Sequence, residues 1–408
     1  MSSYKVREND TFETISRRAY GVETYANKIA RANPGVSETL VPGTTLIVPP
    51  ASASLPTGQA SPADTENEVA LTIDGKRFRY WSGIKLSLSM DTIDAIQFSA
   101  PFEPGDDDFR ATFRPFSYSP LTVTVGGDAL FNGTMIDVAA PEQPRKRDLR
   151  VSGYSRPGVL GDCTPPAAAY PLEYSGQTLP NIAADICAPF GVDVEFDAPA
   201  GTVFDRIACE PGKKVLAFLI ELAKERNVVI TNTPGGALRF WQSVEVGSPV
   251  ATLVEGASPK VAVTPRFMPQ TYYSHVTGIQ PIALGAVGGQ HTERNPNLTD
   301  VLRPVTFTET DTFDADIKTA VEARAGRMFA NMVSYSVALD TWRDPAGNLW
   351  EPNTTVKVHA PGAMIYEPYE FLIRSVDFER NDGGEAATLN LVLPGAFAGK
   401  VPESLPWQ

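Results

Sequence analysis

The sequence predicts a mainly β protein with α+β insertions, preceded by a small βααβ module. Short runs of two-residue alternation, joined by Asp-Gly and Gly-Gly turns, fill the chain from Val69 onward. Two stretches in the middle switch to helical period, around 179–186 and 215–223. A polar, Ala/Ser/Pro/Thr-rich stretch (51–67) separates all of this from the first fifty residues. Alternation at period two marks half-buried strands, and a 3.6-residue period marks amphipathic helices.

In the first fifty residues, Tyr4 to Arg7 reads as a strand. Asp10, followed three residues later by Glu13, has the spacing of an acidic capping box. Phe12, Ile15, Ser16 and Ala19 then share one helical face. A second helix carries Ala26, Ile29 and Ala30 and is stopped by Asn33-Pro34-Gly35. Leu46-Ile47-Val48 closes the unit as a strand ending in Pro49-Pro50. The stretch 51–67 follows as a flexible tether, spanning roughly 20–25 Å as a random coil.

This first unit resembles a LysM domain. The resemblance rests on Tyr4 and Val6, on Asn9-Asp10-Thr11 where many members have Gly-Asp-Thr, on Ile15, Ile29 and Asn33, and on Pro42-Gly43-Thr44 before Leu46-Ile47-Val48-Pro49. The Tyr20-Gly21 step and the run Leu40-Val41-Pro42-Gly43-Thr44 are more similar to the small phage tail protein X, a LysM relative of contractile tails. The resemblance implies an interaction surface at Asn9, Asp10, Thr11, Phe12, Asn33, Pro34 and Gly35, directed at tail components rather than at peptidoglycan.

Beyond the tether, "VALTIDGKRFRYW" turns at Asp74-Gly75, a strong hairpin signal. "KLSLSM" alternates, "LTVTVGGDALFNGTMIDV" folds about Gly126-Gly127, and "DLRVSGY" adds a strand. Closely spaced short strands predict an antiparallel barrel or sandwich. Helical faces then appear at Leu179, Ile182, Ala183 and Ile186, with Gly191 beyond the end, and at Val215, Leu219, Leu222 and Ala223. A hairpin through Pro234-Gly235-Gly236 completes a small α/β unit. A helix over 314–332 aligns Ile317, Val321, Ala325, Met328 and Met332, and the strands "YSVALDTW", "TVKVHA", "FLIRSVDFER" and "ATLNLVL" follow it. The end of the chain, 394–408, is rich in Pro and Gly and reads as an exposed segment that docks through Pro394, Phe397 and Trp407.

The order of these elements, with Gly176-Gln177-Thr178-Leu179 leading a helix and "GKKVLAFL" leading another into a hairpin, resembles the baseplate hub proteins of contractile phage tails, the late-control D and Mu-like hub family. The resemblance implies two hub β-barrel domains, at 68–160 and 261–393, flanking an inserted α/β domain at 161–260, behind a LysM-like module at 1–50 and a linker at 51–67. It further implies a homotrimeric ring in which the two barrels alternate. Such a ring would match a sixfold tail tube to a threefold spike. The implied partners are the central spike protein, the tube-initiating protein, the tape measure and baseplate wedge components, and the implied location is the virion tail baseplate. The C-terminal residues Pro394, Phe397 and Trp407 would meet the spike.

Composition and motifs exclude much else. With 35 basic against 48 acidic residues and a net charge of −13, binding by phosphate neutralisation is disfavoured, so DNA is expected to pass a central channel without sticking. No run approaches the roughly 20 apolar residues of a membrane helix, and the start MSSYKVREND lacks an apolar signal region, so synthesis in the host cytosol without membrane insertion is expected. Cys163, Cys187 and Cys209 form no C-x-x-C pair and read as buried thiols rather than disulfide or zinc ligands. His275, His291 and His359 fit no H-E-x-x-H pattern, and no metal or cofactor is predicted. Gly153-Tyr154-Ser155-Arg156-Pro157 departs from the G-x-S-x-G elbow at its fifth residue. Glu173, Glu195 and Glu221 show no pairing that marks a glycosidase. Asp106-Asp107-Asp108 reads as an acidic loop tip, and Arg145-Lys146-Arg147 as a solvated hairpin tip. The expectation is a structural protein without catalytic residues. The alternative is a LysM-targeted protein that binds peptidoglycan or degrades the cell wall.

Overall fold

The computed structural model describes residues 2–20, 25–33, 36–37, 39–48, 67–79, 81–103, 105–140, 148–243, 247–257, 261–281, 287–308, 317–381, 384–400, 402 and 404–408. The tether at 51–66, Pro34, Gly35, the Arg145–Arg147 cluster and positions 314–316 of the expected helix lie outside the described residues. The chain divides into two units: Met1–Lys85 with Ala95–Tyr154 and Arg380–Gly384, and Leu86–Asp94 with Ser155–Glu379 and Glu385–Gln408.

The first unit opens with strand β1 (Ser2–Lys5), helix α1 (Phe12–Tyr20), helix α2 (Ala26–Ala32) and strand β2 (Thr45–Val48). β1 and β2 pair antiparallel, with Tyr4 opposite Leu46. Val6, Phe12, Ile15, Ile29, Leu40, Leu46 and Val48 form the core of this module. The helical period placed Ile15 and Ile29 inward, and both are fully buried.

Strands β3 (Val69–Ile73), β4 (Lys76–Phe78), β5 (Gly83–Ser89), β6 (Ala95–Pro101), β7 (Pro120–Val125), β8 (Asp128–Ala139) and β9 (Asp148–Ser155) follow. In this unit the neighbours run β6-β9-β8-β7-β3-β4. The β3–β4 turn places Asp74 and Gly75 at φ 50° and 73°, and the β7–β8 turn places Gly126 and Gly127 at φ 60° and 98°. Two central residues with positive φ are what a two-residue hairpin of primed type requires. Strand β8 approaches β9 so closely that a Cβ on Gly133 would stand 2.0 Å from the Tyr154 carbonyl oxygen, so only glycine fits there. Asp106-Asp107-Asp108 is not a bare loop tip. The Asp106 carboxylate accepts from the Asp108 and Phe109 amides and starts a helix, Asp107–Thr112.

The second unit holds the α/β insertion: β10 (Glu173–Tyr174), helix Leu179–Cys187, β11 (Val194–Asp197), β12 (Ile207–Ala208), helix Val215–Glu225, β13 (Val229–Asn232) and β14 (Leu238–Trp241). β14 lies between β11, to which it is parallel, and β13, to which it is antiparallel. Leu179, Ile182, Ala183 and Ile186 pack with Val215, Leu219, Leu222 and Ala223 in one core, and Gly191, at φ 63°, caps the 3-10 turn Ala188–Phe190 that follows the first helix.

Strands β15 (Ala251–Val254), β16 (Ala262–Phe267), β17 (His275–Pro281), β18 (Val287–Arg294) and β19 (Pro304–Thr308) precede the helix Ile317–Met332. β20 (Val333–Leu339), β21 (Thr355–Ala360), β22 (Ile365–Asn381) and β23 (Gly384–Val392) follow. β17 is central to a three-stranded sheet, β18-β17-β19. In this unit β16, β20, β23 and β22 are successive neighbours, with β21 on β22 and β15 on β21. Trp342 and Trp350 are buried beside these strands, and each indole N–H donates to a backbone carbonyl, of Ala386 and Thr341 respectively.

Candidate interaction surfaces

The residues expected to form the module's interaction surface divide into two groups. Asp10, Phe12 and Asn33 are buried. They hold the module together rather than face a partner, which corrects the expectation for these three. The Asp10 carboxylate accepts from the Tyr4 hydroxyl (2.9 Å) and the Arg7 amide (2.8 Å) and pairs with Arg18. Burial alone would raise its pKa, but the bonds from Arg7, Tyr4 and Arg18 and the Arg18 charge hold it below the usual carboxylate range. Asp10 therefore does not cap α1. That task falls to Thr11 and Thr14, whose hydroxyls each accept from the other's backbone amide.

Asn33 donates to the carbonyls of Ile29 (2.7 Å) and Ile47 (2.8 Å) and accepts from the Ile47 amide (2.7 Å), tying α2 to β2. Asn33→Ala is expected to destabilise the module by about 1–3 kcal/mol, because two partly buried backbone groups of Ile47 lose their partners. Hydrogen exchange on the full chain should show faster exchange confined to α2 and β2. Unchanged protection there would contradict the assignment.

Asn9 and Thr11 are exposed, and Asn9 sits at φ 63°. That conformation explains the departure from the family's Gly: asparagine is among the few residues that adopt it readily. Sequence reading missed Val41, which is 65% exposed in the loop before β2, where the Gly43 amide donates to the Val6 carbonyl. Asn9, Thr11 and Val41 are among the solvent-facing residues of the two loops at that end of the module.

The C-terminal segment is not an exposed tail. Phe397 is buried, with the Arg374 guanidinium 5.5 Å from its ring centroid. The Tyr369 hydroxyl donates to the Ser404 carbonyl (2.8 Å), and Trp407 meets Phe267 edge-on at 5.2 Å. A Cβ at Gly326 would stand 2.8 Å from the Ala396 carbonyl and from Gly399 Cα, so the helix and the tail touch backbone to backbone. Pro394 and Trp407 are half-buried. The segment docks on its own unit because its apolar residues Leu393, Ala396, Phe397 and Leu405 fill that unit's core.

A buried polar lock lies at the β13–β14 hairpin. The Asn232 side chain accepts from the Asp94 amide (2.9 Å) and the Ser155 hydroxyl (2.8 Å), and donates to the Asp94 carboxylate (2.6 Å). The Ser89 amide also donates to that carboxylate, at 2.9 Å. Burial dominates and pushes the Asp94 carboxyl up to about 7, against the two hydrogen bonds, which act to lower it. Ser155, the serine of the imperfect elbow, is thus a structural donor.

The remaining candidates for chemistry are dispersed. Cys187 and Cys209 are buried and Cys163 is half-buried. Burial pushes the Cys187 thiol up to about 12, the opposite of what a nucleophile needs. Glu173 pairs with Arg206 and Glu221 with Lys213. His275 contacts Ser274 and Arg294, and His291 contacts Glu293. Among the described residues no three metal-ligating side chains converge.

The structure adds an apolar surface that alternation did not reveal. Phe116 is 90% exposed at φ 60°, and Tyr118 is exposed at φ 50°. A left-handed backbone is unfavourable for bulky side chains and persists only where the surroundings impose it. Ile136, next to the Met135 whose amide bonds Ser119, is exposed as well. Leu302, 79% exposed between β18 and β19, is a second such group.

Comparison with known proteins finds similarity to the baseplate hub proteins of phage tails. Residues 157–242 match the family model of the second domain of baseplate hub protein gp44-like chains, and residues 4–49 match the LysM domain. The chain is 23% identical over 329 residues to baseplate hub protein gp44 of Escherichia phage Mu, covering 78% of this chain and 85% of that one. Its fold is that of the 43 kDa tail protein of prophage MuSo2 from Shewanella oneidensis (TM-score 0.70, 24% identity, 81% of this chain and 99% of that one). A tail protein from Neisseria meningitidis MC58 is similar as well (TM-score 0.68, 19% identity, 82% and 98%). The chain thus resembles the Mu-like baseplate hub proteins over most of its length and carries a LysM domain at its N-terminal end.

Proposed function

We propose that three copies of this chain form a ring in the tail baseplate, with the two β domains of each copy alternating around it. Three copies of two similar domains present six similar places to a sixfold tail tube while keeping threefold symmetry for a central spike. The observation that carries this reading is the likeness to the Mu hub protein across 78% of the chain, which takes in both β regions and the insertion between them. A closed cyclic ring needs a surface that meets a different surface on the next copy. The exposed Phe116, Tyr118 and Ile136 supply apolar contact area for it.

The LysM domain binds a neighbouring tail component, the tape measure or a wedge protein, through Asn9, Thr11 and Val41. The half-buried Trp407 lies at the edge of the spike contact. The role is structural rather than enzymatic. Its test is the absolute mass of the purified chain by light scattering over a range of concentrations. Three chains per particle is the expected result, and a dimer or an open-ended polymer would overturn it. Sedimentation with purified peptidoglycan, full chain against residues 68–408, separates tail binding from wall binding: retention of the full chain alone would assign the LysM domain to glycan.

A further inference from the structure

The second unit contains a cavity of about 450 Å³ bounded by the helices Val215–Glu225 and Ile317–Met332 and by β17 and β19. Its walls are partly apolar, with Val276, Val305 and Met328 among them. Two arginines one helical turn apart, Arg324 and Arg327, line it together. Arg324 is exposed, with its guanidinium carbon over the Phe307 ring, 4.2 Å from the centroid. Arg327 is half-buried and has no hydrogen-bond acceptor among the described residues. Asp91 and Arg324 act on it only through their charge. Burial holds its pKa below the ordinary arginine value, and the guanidinium stays charged. Of the acidic residues at the rim, Glu221 is committed to Lys213 and Glu225 has an interaction of its own.

A half-buried guanidinium without an acceptor is costly, and a second cation beside it raises the cost. The lining carries three cations, Lys224, Arg324 and Arg327, against two carboxylates, Glu221 and Glu225, in a chain of net charge −13. The fork of an arginine matches a carboxylate, and two forks on one helix face can hold one from both sides. The apolar walls favour a carboxylate with hydrophobic neighbours over a free phosphate, whose charge would be desolvated against Val276, Val305 and Met328.

We propose that this cavity is a binding site for an acidic peptide segment of a partner protein, with its carboxylate held between Arg324 and Arg327 and an adjoining apolar side chain against Val276 and Met328. The test is isothermal titration of the full chain with three probes: acetyl-Val-Glu-Leu-amide, the same peptide with Gln for Glu, and inorganic phosphate. The Glu peptide is expected to bind at least about tenfold more tightly than the Gln peptide, since hydrogen bonds to charged groups contribute about 1.5–3 kcal/mol. Arg324→Gln and Arg327→Gln should each remove about a tenfold share of that preference. Arg324 is exposed, so its variant remains informative even where the Arg327 variant folds poorly. Equal binding of the two peptides, or binding unchanged in Arg324→Gln, would overturn the proposal. Phosphate binding without peptide binding would overturn it too, by assigning the cavity to a free oxyanion.

Discussion

Asp94→Asn is expected to remove the share of the pH dependence of stability that Asp94 contributes to the wild-type chain between pH 5 and pH 8. The carboxyl of Asp94 stands at about 7 in the folded chain against 3.8 when unperturbed, so across this window the folded state retains a proton that the unfolded state has released. Stability contributed by that proton is complete below the unfolded value and is lost as pH rises through the folded one. The slope reaches at most about −1.4 kcal/mol per pH unit, and the integrated loss is a few kcal/mol. Urea midpoints at pH 5, 6, 7 and 8 for both chains measure it. The variant's own stability is not the readout, because an amide at position 94 loses one of the two bonds from Ser89 and Asn232. What matters is the difference in slope. Parallel curves would mean that Asp94 titrates near its ordinary value and that the lock is an ionised one.

Trp342→Ala is expected to destabilise the second unit by about 3–5 kcal/mol, the range for removing a fully buried large aromatic side chain. The ring is completely buried, meets Phe378 at 5.3 Å, and donates from Nε1 to the Ala386 carbonyl at 2.9 Å. The loss combines apolar contact, a cavity and one unsatisfied carbonyl. Trp342→Phe keeps most of the contact but not the donor, so it should cost about half as much. Chemical denaturation followed by far-ultraviolet circular dichroism reports on both. A loss below about 1 kcal/mol for the alanine variant would show that the site collapses around the deletion or that the strands there are not packed as described.

What was legible in the sequence is what local chemistry determines. Asp74-Gly75 and Gly126-Gly127 announced their turns because few residues tolerate two successive positive φ values. Leu179, Ile182 and Ile186 announced their helix because one face alone is buried. The order of such elements was enough to suggest a hub. Side chains with distant partners were not legible. Asp10 has the spacing of a cap, yet Tyr4 and Arg18 engage it instead and Thr11 takes its place. Asp94 carried no signal, because its partner Asn232 lies 138 residues away. The tail's Pro and Gly content suggested exposure, but those residues allow it to fold back against Gly326 and bury Phe397. Phe116 and Tyr118 stood out only once their backbone conformation and exposure were known.

Phe116 and Tyr118 also bear on the proposal that the chain builds a threefold ring with sixfold character. Electron-microscopic class averages of the purified chain, viewed down the particle axis, test that claim most directly. Closed particles with threefold symmetry and six similar density lobes around a central opening are expected, lost in a Phe116→Asp, Tyr118→Asp double variant that remains folded. Compact single chains, or closed particles of any other symmetry, would contradict it.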